Sequence, residues 1–169
     1  MKKVLLTAVA VFGFAFANAQ DSTIKVGAHL GLPTGDTKEV SNLNLGADFT
    51  YLWSVSKDFK AGFNTGVTAY LPKEQTISFG TISTTVKGDT AIFLPINAAA
   101  EYSFSENIFV GLDFGYAIGL APSGQQGGLL YLPKVGYQTE KFDITLGYKG
   151  ISRDGSAVNS INLGFAYKL

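Results

Sequence analysis

The feature that most constrains this chain is an alternation of period two. Bulky apolar residues and small or polar ones take turns through eight successive segments. They cover residues 24–32, 43–55, 59–71, 92–104, 108–120, 129–138, 142–149 and 160–169. Such alternation puts one kind of residue on each face of a strand. In the first segment Ile24, Val26, Ala28, Leu30 and Leu32 oppose Lys25, Gly27, His29 and Gly31. In the fifth, Ile108, Val110, Leu112, Phe114, Tyr116, Ile118 and Leu120 oppose Gly111, Asp113, Gly115, Ala117 and Gly119.

Within the segments every charge falls on the small, polar face. The residues are Lys25, Asp48, Lys60, Glu101, Asp113, Lys134, Asp143, Lys149 and Lys168. A β-sandwich would have its bulky face inside and its charged face in water. Here the charged face also carries most of the strand glycines, which fits a cramped interior rather than a solvated surface. Charged residues are only 15% of the chain, against ~25% in soluble domains. After residue 20 no apolar run is long enough for a membrane helix. A closed barrel is the other structure that pairs all its backbone groups within lipid. The expected fold is therefore all-β: an eight-stranded antiparallel up-and-down transmembrane β-barrel.

The connections alternate in length. Those at 56–58, 105–107 and 139–141 are tight, and those at 33–41, 72–90, 121–128 and 151–159 are longer. Outer-membrane barrels pair short periplasmic turns with longer external loops. An even strand count then puts both termini in the periplasm. Trp53, Phe59, Tyr102, Phe104, Tyr137, Phe142, Phe165 and Tyr167 would form the periplasmic aromatic girdle, and Tyr116, Tyr131 and Tyr148 the outer one. Pro95 and Pro133 interrupt two segments. A proline removes a ladder donor, so bulges or late strand starts are expected there.

Residues 1–19 read as a signal peptide. Lys2 and Lys3 precede an uncharged, largely apolar stretch over residues 4–16, and Ala17-Asn18-Ala19 has the small-x-small form of a cleavage site. The domain would then be residues 20–169, a mature chain of 169 − 19 = 150 residues. The chain has no cysteine, which excludes a disulfide framework, a thiolate metal site and a lipid-anchored cysteine. Removing Lys2 and Lys3 leaves 13 − 2 = 11 basic residues against 13 acidic ones. No basic face for nucleic acid follows from that balance.

The last segment ends Asn162-Leu163-Gly164-Phe165-Ala166-Tyr167-Lys168-Leu169. It resembles the C-terminal assembly signal of outer-membrane barrels, with Asn162, Gly164, Tyr167 and Leu169 in the signal's places. The family's usual last residue is Phe, and Leu169 departs from it. Together with the strand pattern, the chain resembles the small outer-membrane β-barrel family, which includes OmpA-type and OmpX-type barrel domains often labelled porin family. The resemblance covers roughly 150 residues by pattern and implies location in the outer membrane of a Gram-negative bacterium. Its implied partners are outer-membrane lipid, lipopolysaccharide and the barrel-assembly machinery. No peptidoglycan-binding domain is expected after the last strand.

Function is less legible. The nine charges of the polar face suit either a path for a solute or ion pairs that fill the interior. An eight-stranded barrel is just wide enough for side chains to fill it, so a plugged lumen with a structural or surface-interaction role is the leading expectation. A narrow porin-like channel for ions or small solutes is the alternative. Some small outer-membrane barrels modify lipid A, and His29 is the only histidine. No serine lies in a nucleophile motif, so no catalytic residue is assigned and no enzyme is expected. No metal or cofactor motif is present. Asp36, Glu39, Asp89 and Asp154 lie on external connections with a spacing that specifies no cation site. Residues 72–90, rich in Thr, Ile and Ser, would extend the third and fourth strands into a protruding ribbon around Gly80. Its free edges could pair with an extracellular partner.

Overall fold

A computed structural model describes residues 22–79, 82–153 and 155–169. The signal-peptide region, Gly80 and Asp154 lie outside the described residues. Eight strands close into one antiparallel barrel: β1 (Ser22–Thr34), β2 (Ser41–Ser54), β3 (Phe59–Pro72), β6 (Ala91–Ser103), β7 (Ile108–Ala121), β8 (Gly128–Gln138), β9 (Phe142–Arg153) and β10 (Ser156–Lys168). Each strand pairs with its sequence neighbours around the barrel, and β1 closes on β10. They are 11 to 14 residues long. Spanning a bilayer takes about 9–11 tilted residues.

Two connections are more ordered than expected. Residues 151–159 are mostly strand, because β9 and β10 continue to Arg153 and Ser156. Gly155 sits in the turn between them at φ +73°, a backbone glycine takes without steric cost. A single helical turn, α1 (Thr37–Val40), lies between β1 and β2. Its Thr37 hydroxyl donates to the Ala157 carbonyl and accepts from the Asn159 amide, tying this connection to β10.

The described part of residues 72–90 forms the protruding ribbon: β4 (Glu74–Phe79) pairs antiparallel with β5 (Ile82–Lys87) as a separate two-stranded sheet. The pair Tyr70↔Ala91 in the wall and Glu74↔Lys87 in the ribbon share one register. The ribbon therefore continues the β3–β6 hairpin beyond the barrel.

Pro95 and Pro133 cause neither bulges nor late strand starts. Opposite Pro95 the β3–β6 ladder skips from Thr65↔Ile96 to Thr68↔Phe93, and opposite Pro133 the β8–β9 ladder skips from Tyr131↔Gly150 to Lys134↔Gly147. The register is unchanged across both gaps. A strand residue offers its N–H to one neighbour only, so the ladder on the far side stays whole, with Pro95↔Ala117 and Pro133↔Leu112. The Thr65 hydroxyl donates to the Pro95 carbonyl at 2.8 Å across the first gap. Register shifts occur instead at Ser41/Leu43 and Ile92/Phe93.

The apolar parity faces outward on every barrel strand. Leu30, Leu45, Leu112, Phe114, Leu146, Leu163 and Phe165 are all more than a third exposed. Trp53 departs from the expected girdle: it has outward parity but is only 5% exposed, with its ring tilted against Tyr51.

Candidate functional site

The barrel interior has three layers. At the end bearing the short turns, Leu52 and Phe109 are fully buried. At the opposite end, Tyr70, Phe93, Ala117, Leu130 and Ile151 pack into an apolar cluster, with Ala91, Leu132 and Val158 against it. Strand parity sends these residues inward. The expectation of a uniformly small and polar interior hid them.

Between the apolar layers lie the charged residues. Five ion pairs run in series across six strands with alternating sign. Lys168 meets Asp143 at 2.8 Å, Asp143 meets Lys25 at 2.6 Å, and Lys25 meets Glu101 at 2.7 Å. Glu101 then meets Lys134 at 3.5 Å, and Lys134 meets Asp113 at 2.9 Å. Three cations and three anions cancel. Lys25 also lies 5.1 Å from the centroid of the Phe109 ring, so the chain rests on the apolar layer. The Gly136 position makes that layer possible, since a Cβ there would lie 2.3 Å from the Phe109 ring.

A second cluster is centred on His29. Its Nδ1 is 2.6 Å from Asp48 Oδ2, and its Nε2 is 2.8 Å from Lys149 Nζ and 3.1 Å from Thr68 Oγ1. An ammonium only donates, so Nε2 accepts and the ring proton sits on Nδ1, donating to Asp48. Asn44 Nδ2 donates to Thr68 Oγ1 at 2.7 Å, and Lys149 Nζ lies 3.3 Å from the same oxygen. Gly46 leaves room for the imidazole: a Cβ there would lie 2.4 Å from His29 Cε1. Among the described residues Lys149 has no carboxylate within ion-pair distance. Strand alternation alone does not connect His29 to Thr68, because β1 and β3 are not adjacent in the ladder. Their meeting is a contact through the lumen.

Asp48, His29 and Thr68 stand in the order acid, imidazole, hydroxyl that activates a nucleophile. Thr68 is fully buried, however, and already accepts from Asn44. An acyl substrate has no approach to it.

Lys60 is the charged residue outside both clusters. Its Nζ is 3.4 Å from Thr23 Oγ1, and among the described residues no carboxylate pairs with it. A polar ladder, Thr50–Asn64–Asn97, joins β2, β3 and β6. Between the clusters remains a chamber of about 70 Å³, bordered by Lys25, Asp48, Asn64, Asp113, Lys149 and Asn162. It has room for a few waters. Among the described residues no group of three or more His, Asp or Glu could hold a metal ion.

Of the four C-terminal residues, Asn162 and Gly164 point inward and Tyr167 and Leu169 outward. Asn162 bonds Ser160, whose hydroxyl meets Tyr70 Oη at 3.0 Å. The Leu169 amide donates to the Ile24 carbonyl at 2.9 Å, at the β1–β10 seam.

No protein-family model matches the chain, and no curated protein does. Among solved structures it is similar to Ail, the attachment invasion locus protein of Yersinia pestis, at 14% identity. That match covers 88% of this chain and 97% of that one, with a TM-score of 0.54. Neisserial surface protein A is similar at 13% identity over 88% and 97%, with a TM-score of 0.52. A de novo designed transmembrane β-barrel is similar at 12% identity over 87% and 95%, with a TM-score of 0.55. The likeness is one of fold, and that fold is the small closed antiparallel barrel.

Proposed function

We propose that this chain is an integral protein of a bacterial outer membrane, of the OmpA/OmpX-type small-barrel class, with a lumen sealed by its own side chains and a role at the cell surface. The observation that carries the reading is the inversion of the usual pattern. The wall exposes a continuous apolar surface, while ten ionisable side chains, the nine charges and His29, are turned into the interior. Such a surface is unfavourable in water and suits lipid.

In this reading residues 1–19 direct export and are removed, and both termini lie in the periplasm. The C-terminal residues Asn162, Gly164, Tyr167 and Leu169 present the strand to the assembly machinery. The barrel is not an enzyme. The two apolar layers favour sealing over conduction, since a hydrated ion would have to cross both.

The surface role falls to the end bearing the ribbon. Among the described residues its two strands form a sheet of their own, whose outer edges suit pairing with a partner strand. Ail has been crystallised with the heparin analogue sucrose octasulfate, which makes sulfated glycans a second probe for this end. Here Lys38 and Lys73 lie together, with Lys73 Nζ donating to the Lys38 carbonyl.

Planar-bilayer recording separates the sealed barrel from the porin-like alternative. The sealed barrel gives no reproducible unitary openings after insertion, shown independently by heat-modifiable migration on a denaturing gel. Regular openings from inserted protein would replace the sealed reading with the channel.

A further inference from the structure

The ion-pair chain and the His29 cluster differ in what acid does to them. In the chain, each inward cation meets a carboxylate. In the cluster, the Lys149 ammonium is held by an imidazole nitrogen and a hydroxyl, both uncharged acceptors. That contact exists only while His29 Nε2 carries no proton.

We propose that Lys149, His29, Asp48 and Thr68 form an acid-sensitive latch across the barrel interior, closed while His29 is neutral and sprung when the ring takes a second proton. The new Nε2–H would face the Lys149 ammonium across the present 2.8 Å contact. Thr68 Oγ1 cannot hold both donors: it accepts from Asn44 Nδ2 at 2.7 Å, and its second acceptor position is now filled by Lys149. The oxygen lies 3.1 Å from Nε2, so the new N–H competes with the ammonium for that position. Lys149 must then withdraw from β1 and β3. The latch joins β1 through His29, β2 through Asp48 and Asn44, β3 through Thr68 and β9 through Lys149.

The groups facing His29 do not supply a replacement anion. β2 contributes Asp48, which holds the Nδ1 side. β9 contributes the ammonium itself, β3 the neutral Thr68, and β10 the neutral Asn162 and Gly164. Across the chamber, Asp113 of β7 is held by Lys134 of β8, and Glu101 of β6 by Lys25 and Lys134. His29 and Lys149 themselves border the chamber, so water held there reaches the ring; protons have only to exchange with that water, which needs no path wide enough for a hydrated ion. The latch depends on the folded interior and is independent of the surface role proposed above.

The test uses the full barrel folded in detergent micelles, with unfolding in urea followed by heat-modifiable migration at pH 7.5 and pH 5.0. Wild type should unfold at least fivefold faster at the lower pH. His29→Gln keeps a donor for Asp48 and an acceptor for Lys149 but cannot titrate, and should unfold at the same rate at both. Lys149→Met removes the repelled charge and should lose at least half of the acceleration. His29 is the only histidine, so a long-range nitrogen-15 spectrum reads its ring directly. It should show the neutral Nδ1–H form at pH 7.5 and both nitrogens protonated at pH 5.0.

Absence of acceleration in wild type overturns the latch, as does equal acceleration in both variants, which would place the acid effect on the carboxylates. If His29→Gln does not fold, Lys149→Met and the ring spectrum decide. A ring that stays neutral at pH 5.0 while unfolding accelerates also overturns it.

Discussion

Asp143 shows what a buried charge does in this interior. It is 1% exposed and holds two lysines, Lys25 at 2.6 Å and Lys168 at 2.8 Å. Removing one member of a buried ion pair strands the other and costs about 3–5 kcal/mol. Asp143→Ala should therefore lower the unfolding free energy of the barrel in micelles by that order, read from urea titration. Glu39→Ala removes a pair between exposed side chains 3.9 Å apart and should leave the midpoint unchanged, since such pairs contribute little. The inward placement of Asp143 was legible from its sequence parity. Its partner Lys25 was not, because β1 and β9 are not neighbours in the ladder and the two side chains meet through the lumen, a geometry that exists only once the wall closes. The same reason hid Lys149 and Thr68 as partners of His29.

At the scale of the elements, strand periodicity made nearly all of the wall readable. The segments expected over 59–71 and 108–120 match β3 and β7 to within a residue. The expectation for the prolines failed because it treated a lost donor as a lost strand. In a ladder the loss touches one neighbour, so the strand carries on and only its pairing opens. The apolar layers were missed for a different reason. Leu52, Phe93, Phe109, Leu130 and Ile151 have inward parity, but an interior inferred from its glycines and charges leaves no place for bulk. Glycines opposite them supply that place, as Gly136 does for Phe109. Gly136→Val should push the Phe109 ring off the lumen axis and lower the denaturation midpoint. The paired variant Gly136→Val/Phe109→Ala should recover much of the loss. A double-mutant cycle on urea midpoints measures the coupling, expected at about 0.5–3 kcal/mol for residues in contact.

For the whole molecule, the arrangement is apolar outside, ion-paired inside and closed so that no strand edge of the wall is left open, which is what the proposed place in lipid requires. The closed sheet was derivable from charge placement and the want of a spanning helix. Its surface partner was not, because a ribbon's free edges specify backbone pairing and no particular sequence. In the proposed barrel the outward face meets lipid while the inward apolar layers meet only protein. Methyl NMR of the barrel in nanodiscs containing spin-labelled lipid acyl chains tests it most directly. The methyls of Leu112, Leu146 and Leu163 should broaden strongly, with those of Leu52, Leu130 and Ile151 preserved. Equal broadening of both sets, or none in the first, would contradict it.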